Sequence, residues 1–387
     1  YHDRGFVLAK VADVKDDPDG SVELVISEGS IDNIEIVGNK KTKDFIFKNA
    51  IKIKPGSVYN EKQLTGDLRK LYNNGYFQDI RRSLVPSATN PDKYTLKVEV
   101  DEKRTGSVGL GGGVDSVAGP FGSFSFSDSN FGGKGQVISL SSQMGSGTLN
   151  NVTGSINNGG TNYMPTGRTY NIEASFIEPN LRGSNTSMAV TGFGRNMGSM
   201  FIDQAMQRTL GTSVVFSKPL RNGWAANLGL IGENTTLRNM AGIAENQSVL
   251  ASMSSRALSS GLATNSAEAS ALANSIRGNQ LKGGTFFTVS PSISRDTRDA
   301  ALDPTRGSLV KLTASPSIGA GGGFFKTGVS ASKYIPVSKN ITFASNIQAG
   351  TSMGGMPQFA QYRLGGWNGV RGYRAFSDLG TGAGLLM

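Results

Sequence analysis

The chain has 387 residues, of which 39 are Lys or Arg and 29 are Asp or Glu, a formal net charge of +10. It contains no cysteine and one histidine, His2, which excludes disulfide frameworks, structural zinc sites, thiol nucleophiles and most imidazole catalysis; no catalytic residue, metal or other cofactor is expected. Glycine is in excess at 52 residues, about twice the usual share, and no stretch approaches the roughly 18 consecutive apolar residues of a membrane-spanning helix. A membrane barrel survives that test, because its strands are apolar only at every second position.

Residues 1–28 show no basic stretch followed by an apolar run, so they do not read as a signal peptide. Tyr1 to Ala9 reads as a helix end, Asp16-Asp17-Pro18-Asp19-Gly20 as a hairpin turn without calcium-loop spacing, and Val22 to Ser27 as a strand. Residues 29–104 form one small α/β module. Ile34-Glu35-Ile36-Val37 is a strand closed by Gly38-Asn39, Thr42 and Asp44 offer caps for a helix over Phe45 to Ala50, and Lys54-Pro55-Gly56 breaks the chain. Asn60 can cap a second helix, in which Leu64, Leu68, Leu71 and Tyr72 fall at i, i+4, i+7 and i+8 as one buried stripe. Asn73-Asn74-Gly75-Tyr76-Phe77 ends that helix, with Gly75 suited to the left-handed position. Two strands follow, the second alternating with Tyr94, Leu96, Val98 and Val100 on one face. Lys40-Lys41-Thr42-Lys43 lacks interleaved aromatics and reads as a solvated turn facing anionic headgroups rather than nucleic acid.

Over residues 105–387 the period is two. Phe124 and Phe126 alternate with serines, Ile138 and Leu140 with Ser139 and Ser141, and Tyr170 to Phe176 separates completely into apolar and polar sets. Leu210 to Phe216, Ala226 to Leu230, Val310 to Ala314 and Ile341 to Ile347 repeat the pattern. Such strands suit either a soluble sandwich or a membrane barrel. Their length, 9–12 residues, and a polar face rich in Ser, Thr, Asn and Gln favour the barrel. There are roughly twelve segments, and since a sheet in lipid must close, Gly380 to Met387 is expected to begin a strand of a barrel that continues. Leu237 to Asn279, with Ser254 to Ala263 at its centre, breaks the alternation; its Ala, Ser and Leu suit a short amphipathic helix inside a long loop, read either as a plug or surface cap or as a mobile extracellular loop of no special role.

Gly350-Thr351-Ser352-Met353-Gly354 fits the G-x-S-x-G nucleophile elbow, but it ends an alternating strand and the only histidine is at position 2. It is expected to be a chance match, and the chain is not read as an enzyme.

The order β-α-α-β-β with the Asn-Asn-Gly-Tyr-Phe helix end resembles a POTRA domain, and residues 1–28 look like the C-terminal part of a preceding copy. Downstream, Leu364-Gly365-Gly366-Trp367-Asn368-Gly369-Val370-Arg371-Gly372-Tyr373, the Ser294 to Asp299 segment and the turn Asp303-Pro304-Thr305-Arg306-Gly307 together resemble the BamA, TamA and Toc-channel superfamily, with phrasing similar to its cyanobacterial branch. The resemblance implies a POTRA arm followed by a transmembrane antiparallel β-barrel of about sixteen strands, of which about twelve fall in this chain. It implies that Arg371 anchors a lumenal loop (353–379), with Val370, Gly372, Tyr373, Gly365 and Gly366 shaping it. The acidic partner would lie beyond Met387, which leaves Asp296 and Asp299 as turn residues. The first barrel strand, with Gly106, Val108, Leu110, Gly111, Gly112 and Gly113, would be the weak edge of a seam, its glycines loosening the ladder or relieving crowding. The helix end of the arm is Gly75, Tyr76 and Phe77. The partners implied are unfolded outer-membrane or translocated polypeptides, outer-membrane lipid and accessory assembly proteins. The setting is the bacterial outer membrane with the arm in the periplasm, or the chloroplast outer envelope. An insertase, a translocation channel and, more remotely, a passive porin all stand as functions.

Overall fold

The structure is a computed structural model that describes the chain except residues 17–19, 88–92, 116–118, 148–167, 199–205, 239–253, 256, 282, 320–321, 339–340, 364–380, 383 and 387. It divides into two bodies, Tyr1–Val108 with Phe126–Ile138, and Gly109–Ser125 with Ser139–Met387.

The first body opens with a single 3-10 turn, His2–Arg4, closed by Gly5 at φ 98°. An antiparallel hairpin follows, β1 (Lys10–Asp16) and β2 (Val22–Ser27), whose register closes at Asp16 and Val22 around the expected acidic turn. Next come β3 (Ser30–Val37), α1 (Asp44–Ala50), α2 (Glu61–Asn73), β4 (Phe77–Pro86) and β5 (Lys93–Glu102). Their sheet has the order β3-β5-β4, with β5 parallel to β3 and antiparallel to β4. The parallel pair exists because the two helices make the crossover between β3 and the hairpin of β4 and β5. Both helices bury one face on this sheet, and Ile31, Phe47, Leu64, Leu71, Phe77, Leu96 and Val98 form a solvent-free core.

Asn60 caps α2 as expected, its side chain accepting the Gln63 N–H at 3.1 Å. Leu64, Leu68 and Leu71 are buried, but Tyr72 is 51% exposed. One residue beyond Leu71 lies about 100° around the helix, so Tyr72 leaves the stripe. The polar Asp67 is buried in its place, because its carboxylate accepts the Lys52 N–H at 3.0 Å. The caps expected for α1 do not act. Lys43 is its N-cap residue, without a side-chain cap bond, while Asp44 accepts from Asn39 at 2.7 Å and Thr42 from Asn130 at 2.9 Å.

The second body is built on a 12-stranded sheet in simple chain order: β6 (Gly106–Asp115), β7 (Gly119–Phe131), β8 (Gln136–Gly145), β9 (Thr169–Glu178), β10 (Ser187–Gly198), β11 (Met206–Pro219), β12 (Trp224–Arg238), β13 (Gly284–Asp296), β14 (Gly307–Gly319), β15 (Gly322–Ser338) and β16 (Ile341–Gly354), ending on the short β19 (Gly384–Leu386). Two further short strands, β17 (Tyr362–Arg363) and β18 (Thr381–Gly382), pair with each other. The strands β6 to β16 are 10–17 residues long, enough to cross hydrocarbon at a tilt. Their apolar side chains stand on the outer face with little protein cover; Leu210, Phe343 and Ile347 are 61%, 58% and 60% exposed. Hydroxyls pair across neighbouring strands on the opposite, lumenal face: Ser139 with Ser175 at 2.7 Å, Thr209 with Thr235 at 3.2 Å, Ser290 with Ser315 at 3.0 Å. This is the separation that a barrel in lipid requires, and the barrel is partial in this chain.

The long loop after β12 is helical at its centre, as expected, and carries a second, longer helix beyond it. Within Ser254 to Ala263, residues 254–255 and 257–259 are helical, and α3 spans Ser266–Leu281. Asn265 accepts the Glu268 N–H at 2.8 Å, and the Glu268 carboxylate in turn accepts the Thr264 N–H at 2.8 Å. This reciprocal cap starts the helix where Asn265-Ser266-Ala267-Glu268 allows it.

Leu64 is fully buried between α2 and the sheet. Leu64→Ala is expected to destabilise this module by about 2–5 kcal/mol, whereas the exposed Tyr72→Ala shifts it by less than about 1 kcal/mol. Urea denaturation of both variants checks the contrast.

Candidate functional site

Strand β6 stands at one end of the sheet order, next to β7. Successive residues of a strand point to opposite faces, and here they differ in kind. Val108, Leu110 and Val114 point outward, Leu110 being 82% exposed. Gly109, Gly111 and Gly113 face the side chains of β7. A Cβ on Gly109 would fall 2.6 Å from the Ser125 hydroxyl, one on Gly111 2.8 Å from that of Ser123, and one on Gly113 3.2 Å from the Phe121 ring. These glycines are therefore the condition for β7 to lay its side chains across the first strand. A Cβ on Gly112 would fall 3.1 Å from the backbone carbonyl oxygen of Phe121, while one on Gly106 would meet only the Ser127 carbonyl oxygen at 3.9 Å. Crowding thus accounts for most of the glycine run, and its consequence is a strand with few side chains to grip a neighbour.

The helix end of the arm sits at a second dense point. Gly75 has φ 78°, and Tyr76 and Phe77 turn into the core. The Tyr76 hydroxyl donates to the Gly135 carbonyl at 3.3 Å, within the tip that joins β7 to β8. Burial pushes its phenol up. Asn130, buried in that tip, donates to the Thr42 hydroxyl at 2.9 Å and accepts the Gly135 N–H at 2.8 Å. Lys41 reaches Asp128 at 3.0 Å, and Thr105 donates to the same carboxylate at 2.7 Å. The backbone amides of Lys40, Lys41 and Thr42 all donate to the Glu102 carboxylate, at 3.1, 2.8 and 2.6 Å. The basic run is thus more than a solvated turn: its backbone cradles one carboxylate, and its second lysine is tied to the end of β7.

On the lumenal face the residues after β16 fold back onto the wall. Phe359 packs edge-on against Phe286 at 5.7 Å, and Phe286 lies 6.2 Å from Phe324. Tyr362 donates to the Thr327 carbonyl at 2.9 Å, and Lys326 donates to the Ala360 carbonyl at 2.7 Å with its ammonium 4.5 Å from the Tyr362 ring centre. A Cβ at Gly350 would fall 2.8 Å from that ring, so Gly350 is small to admit Tyr362. The G-x-S-x-G match is thereby explained as a strand end: Ser352 lies within β16 and Gly350 receives an aromatic ring. Gly365, Gly366, Val370, Arg371, Gly372 and Tyr373 lie outside the described residues. Asp296 pairs with Arg298 at 2.8 Å, and Asp299 accepts the Thr305 and Arg306 N–H groups at 3.0 and 3.2 Å, so both act within their turn. Among the described residues no cluster of acidic or histidine side chains could hold a metal ion.

Burial alone would raise the Glu102 carboxyl, but hydrogen bonds from Thr42, Lys41 and Lys40 outweigh it and hold the group below its ordinary value. A lowered native value contributes stability that is complete above the unfolded carboxyl value of about 4.3 and is lost as pH falls through the native one. Glu102→Gln is therefore expected to lower the melting temperature of the first body at pH 7, with the gap to the parent protein closing below about pH 4. Thermal scans across pH 3–7 check it.

Residues 130–382 match the family model of the Omp85 superfamily domain, and residues 30–103 match the POTRA model, described as a surface antigen variable number repeat. The chain is 24% identical over 355 residues to outer membrane protein assembly factor BamA of Neisseria meningitidis, covering 89% of this chain and 40% of that protein. It is 23% identical over 261 residues to the chloroplastic outer envelope protein 80 of Oryza sativa subsp. japonica, covering 62% and 37%. The chain thus spans less than half the length of these curated relatives, and with bacterial and plant proteins both matching, no branch is singled out. In structure it is similar to BamA from Haemophilus ducreyi lacking POTRA domains 1–3, with a TM-score of 0.65 at 18% identity over 96% of this chain and 66% of that one. It is also similar to CdiB from Escherichia coli, with a TM-score of 0.53 at 14% identity over 96% and 63%. Those two likenesses speak for the fold. With β3 to β5 inside the POTRA match and β8 to β16 inside a match that takes in well over half of the chain, this chain belongs to the Omp85 superfamily, outer-membrane β-barrel proteins with periplasmic POTRA domains.

Proposed function

We propose that the chain is the membrane-proximal part of an outer-membrane protein assembly factor, which receives unfolded outer-membrane polypeptides on its POTRA arm and folds them into the membrane at the barrel seam. In this reading residues 1–28 end a preceding POTRA domain, residues 29–104 are a complete one, and residues 105–387 are the barrel up to and just past its lumenal loop. The observation that carries it is β6: the first strand of the sheet, apolar outward, with glycines at the inward positions 109, 111 and 113 that β7 crowds. Such an edge can exchange partners. An incoming strand that pairs with it satisfies its amides before meeting hydrocarbon, where each unpaired group costs on the order of several kcal/mol. No covalent chemistry, nucleotide or metal enters this cycle. Arg371 serves as the lumenal anchor of the loop carrying Gly365, Gly366, Val370, Gly372 and Tyr373; the aromatic packing of Phe359 and Tyr362 just upstream supports a loop that turns into the barrel.

A second reading, a polypeptide translocation channel, is favoured by the hydroxyl-lined wall of Thr209, Thr235, Ser290 and Ser315, which suits a passing chain. Depletion of the full-length protein separates the two. Assembly predicts that many folded outer-membrane barrels fall together; loss of one class of soluble cargo with barrels intact overturns it in favour of the channel. Arg371→Ala is expected to reproduce the depletion defect while the POTRA fold is kept, and normal barrel assembly in that variant would remove the loop from the mechanism. Cysteines at Val108 or Leu110 are expected to crosslink to substrate strands in growing cells. Crosslinks confined to the protein's own closing strand during active assembly would count against insertion at β6.

A further inference from the structure

The outer face of β12 to β16 carries a trough of about 880 Å³. Its floor is made of the short outward side chains of Ala226, Pro291, Ala314, Thr327, Ala349 and Thr351. The larger Ile293, Leu312 and Val329 stand beside them, each more than a third exposed. The trough lies outside the wall, because Tyr362 fills the lumenal side at Gly350 and does not line it.

Two cations share that face at one end of it. Arg295 follows Ile293 by two residues on β13, and Lys333 follows Val329 by four on β15, so each points the same way as the trough. Both are exposed. The Arg295 guanidinium lies 5.8 Å from the Trp224 ring centre, and Trp224 is the residue opposite it on β12. On β14 the neighbours of these cations are Val310, opposite Arg295, and Ser308, opposite Lys333. With strands about 4.8 Å apart, a rise of about 3.3 Å per residue and the two cations staggered by two residues along β14, they flank that strand about 12 Å from each other; Arg295 stands about 7 Å and Lys333 about 13 Å above the first row of the trough.

The end concerned is the periplasmic one. β11 and β12 are joined there by the four residues Leu220 to Gly223, whereas β12 and β13 are joined at the other end by the long segment that contains α3. Short turns mark the periplasmic rim of outer-membrane barrels, and an exposed Trp stacked on Arg is typical of the headgroup level.

We propose that this surface is a binding site for a phospholipid with an anionic headgroup, drawn from the periplasmic leaflet. The phosphate lies over β14 between Arg295 and Lys333, and an acyl chain runs down the trough beneath it. The hollow supplies contacts that a convex lipid-facing wall does not, and the cations supply the choice of headgroup. Both requirements meet on one face, at the spacing of one headgroup above its chains. The site stands on the barrel alone and is independent of whether the protein inserts or translocates polypeptides.

The test uses the full-length protein, delipidated in neutral detergent and titrated with phosphatidylglycerol or phosphatidylcholine, with retained lipid counted by native mass spectrometry. Phosphatidylglycerol is expected to be retained in preference to phosphatidylcholine, with the preference falling about five-fold for each of Arg295→Gln and Lys333→Gln and kept in Arg295→Lys. Lys311→Gln, which removes a charge from the lumenal face of β14, is expected to leave it unchanged. Ala314→Phe, which fills the trough while sparing both cations, is expected to weaken retention of phosphatidylglycerol; heat-modifiable migration on gels reports that each variant is folded. Equal retention of the two lipids, an equal loss in Lys311→Gln, or full retention in the Arg295→Gln, Lys333→Gln double variant would each overturn the site.

Discussion

A backbone amide facing hydrocarbon without a partner costs several kcal/mol, and a strand that crosses a membrane carries about ten of them. The sheet of the second body answers that demand by pairing each strand with its neighbours in chain order, so its outer face needs only apolar side chains. Outward Leu, Ile, Phe and Val and inward Ser, Thr and Asn follow from that one requirement.

The same demand explains the use of small residues in this wall. On β6, glycines at 109 and 111 clear space for the serines of β7, and on β16 Gly350 clears space for Tyr362. A pleated sheet offers no other way to bring a ring or a hydroxyl across its own neighbour. On the outer face, Ala226, Ala314 and Ala349 hollow the lipid-facing wall. Removing side chains shapes this barrel as much as placing them does.

The first body depends on a different economy, in which a few polar groups bury themselves by serving backbone that would otherwise be orphaned. Asp67 satisfies the Lys52 amide beside α2, Glu102 satisfies three consecutive amides, and Asn130 satisfies both a hydroxyl and an amide in the tip between β7 and β8. Each is charge-assisted or buried, the conditions under which a hydrogen bond contributes most and its loss costs most. The POTRA module and this tip are thereby held as a single body.

Local periodicity was enough to determine the β-α-α-β-β order, the Asn60 cap, the buried leucines of α2 and the two-faced strands, because helix and strand periods act over a few residues. Glu268 behind Asn265 is a cap signal of the same local kind and marks the start of α3. Tyr72, Asp67, Glu102 and Gly350 were decided only by tertiary structure. Asp67 is buried with the Lys52 amide, 15 residues away, as its partner, while Tyr72 stays exposed. The partners of Glu102 lie 60–62 residues away, and the tyrosine that requires Gly350 arrives on a segment that folds back into the lumen. A sequence read along the chain carries the pattern of faces, but not which distant group will need a hydrogen bond or an empty place.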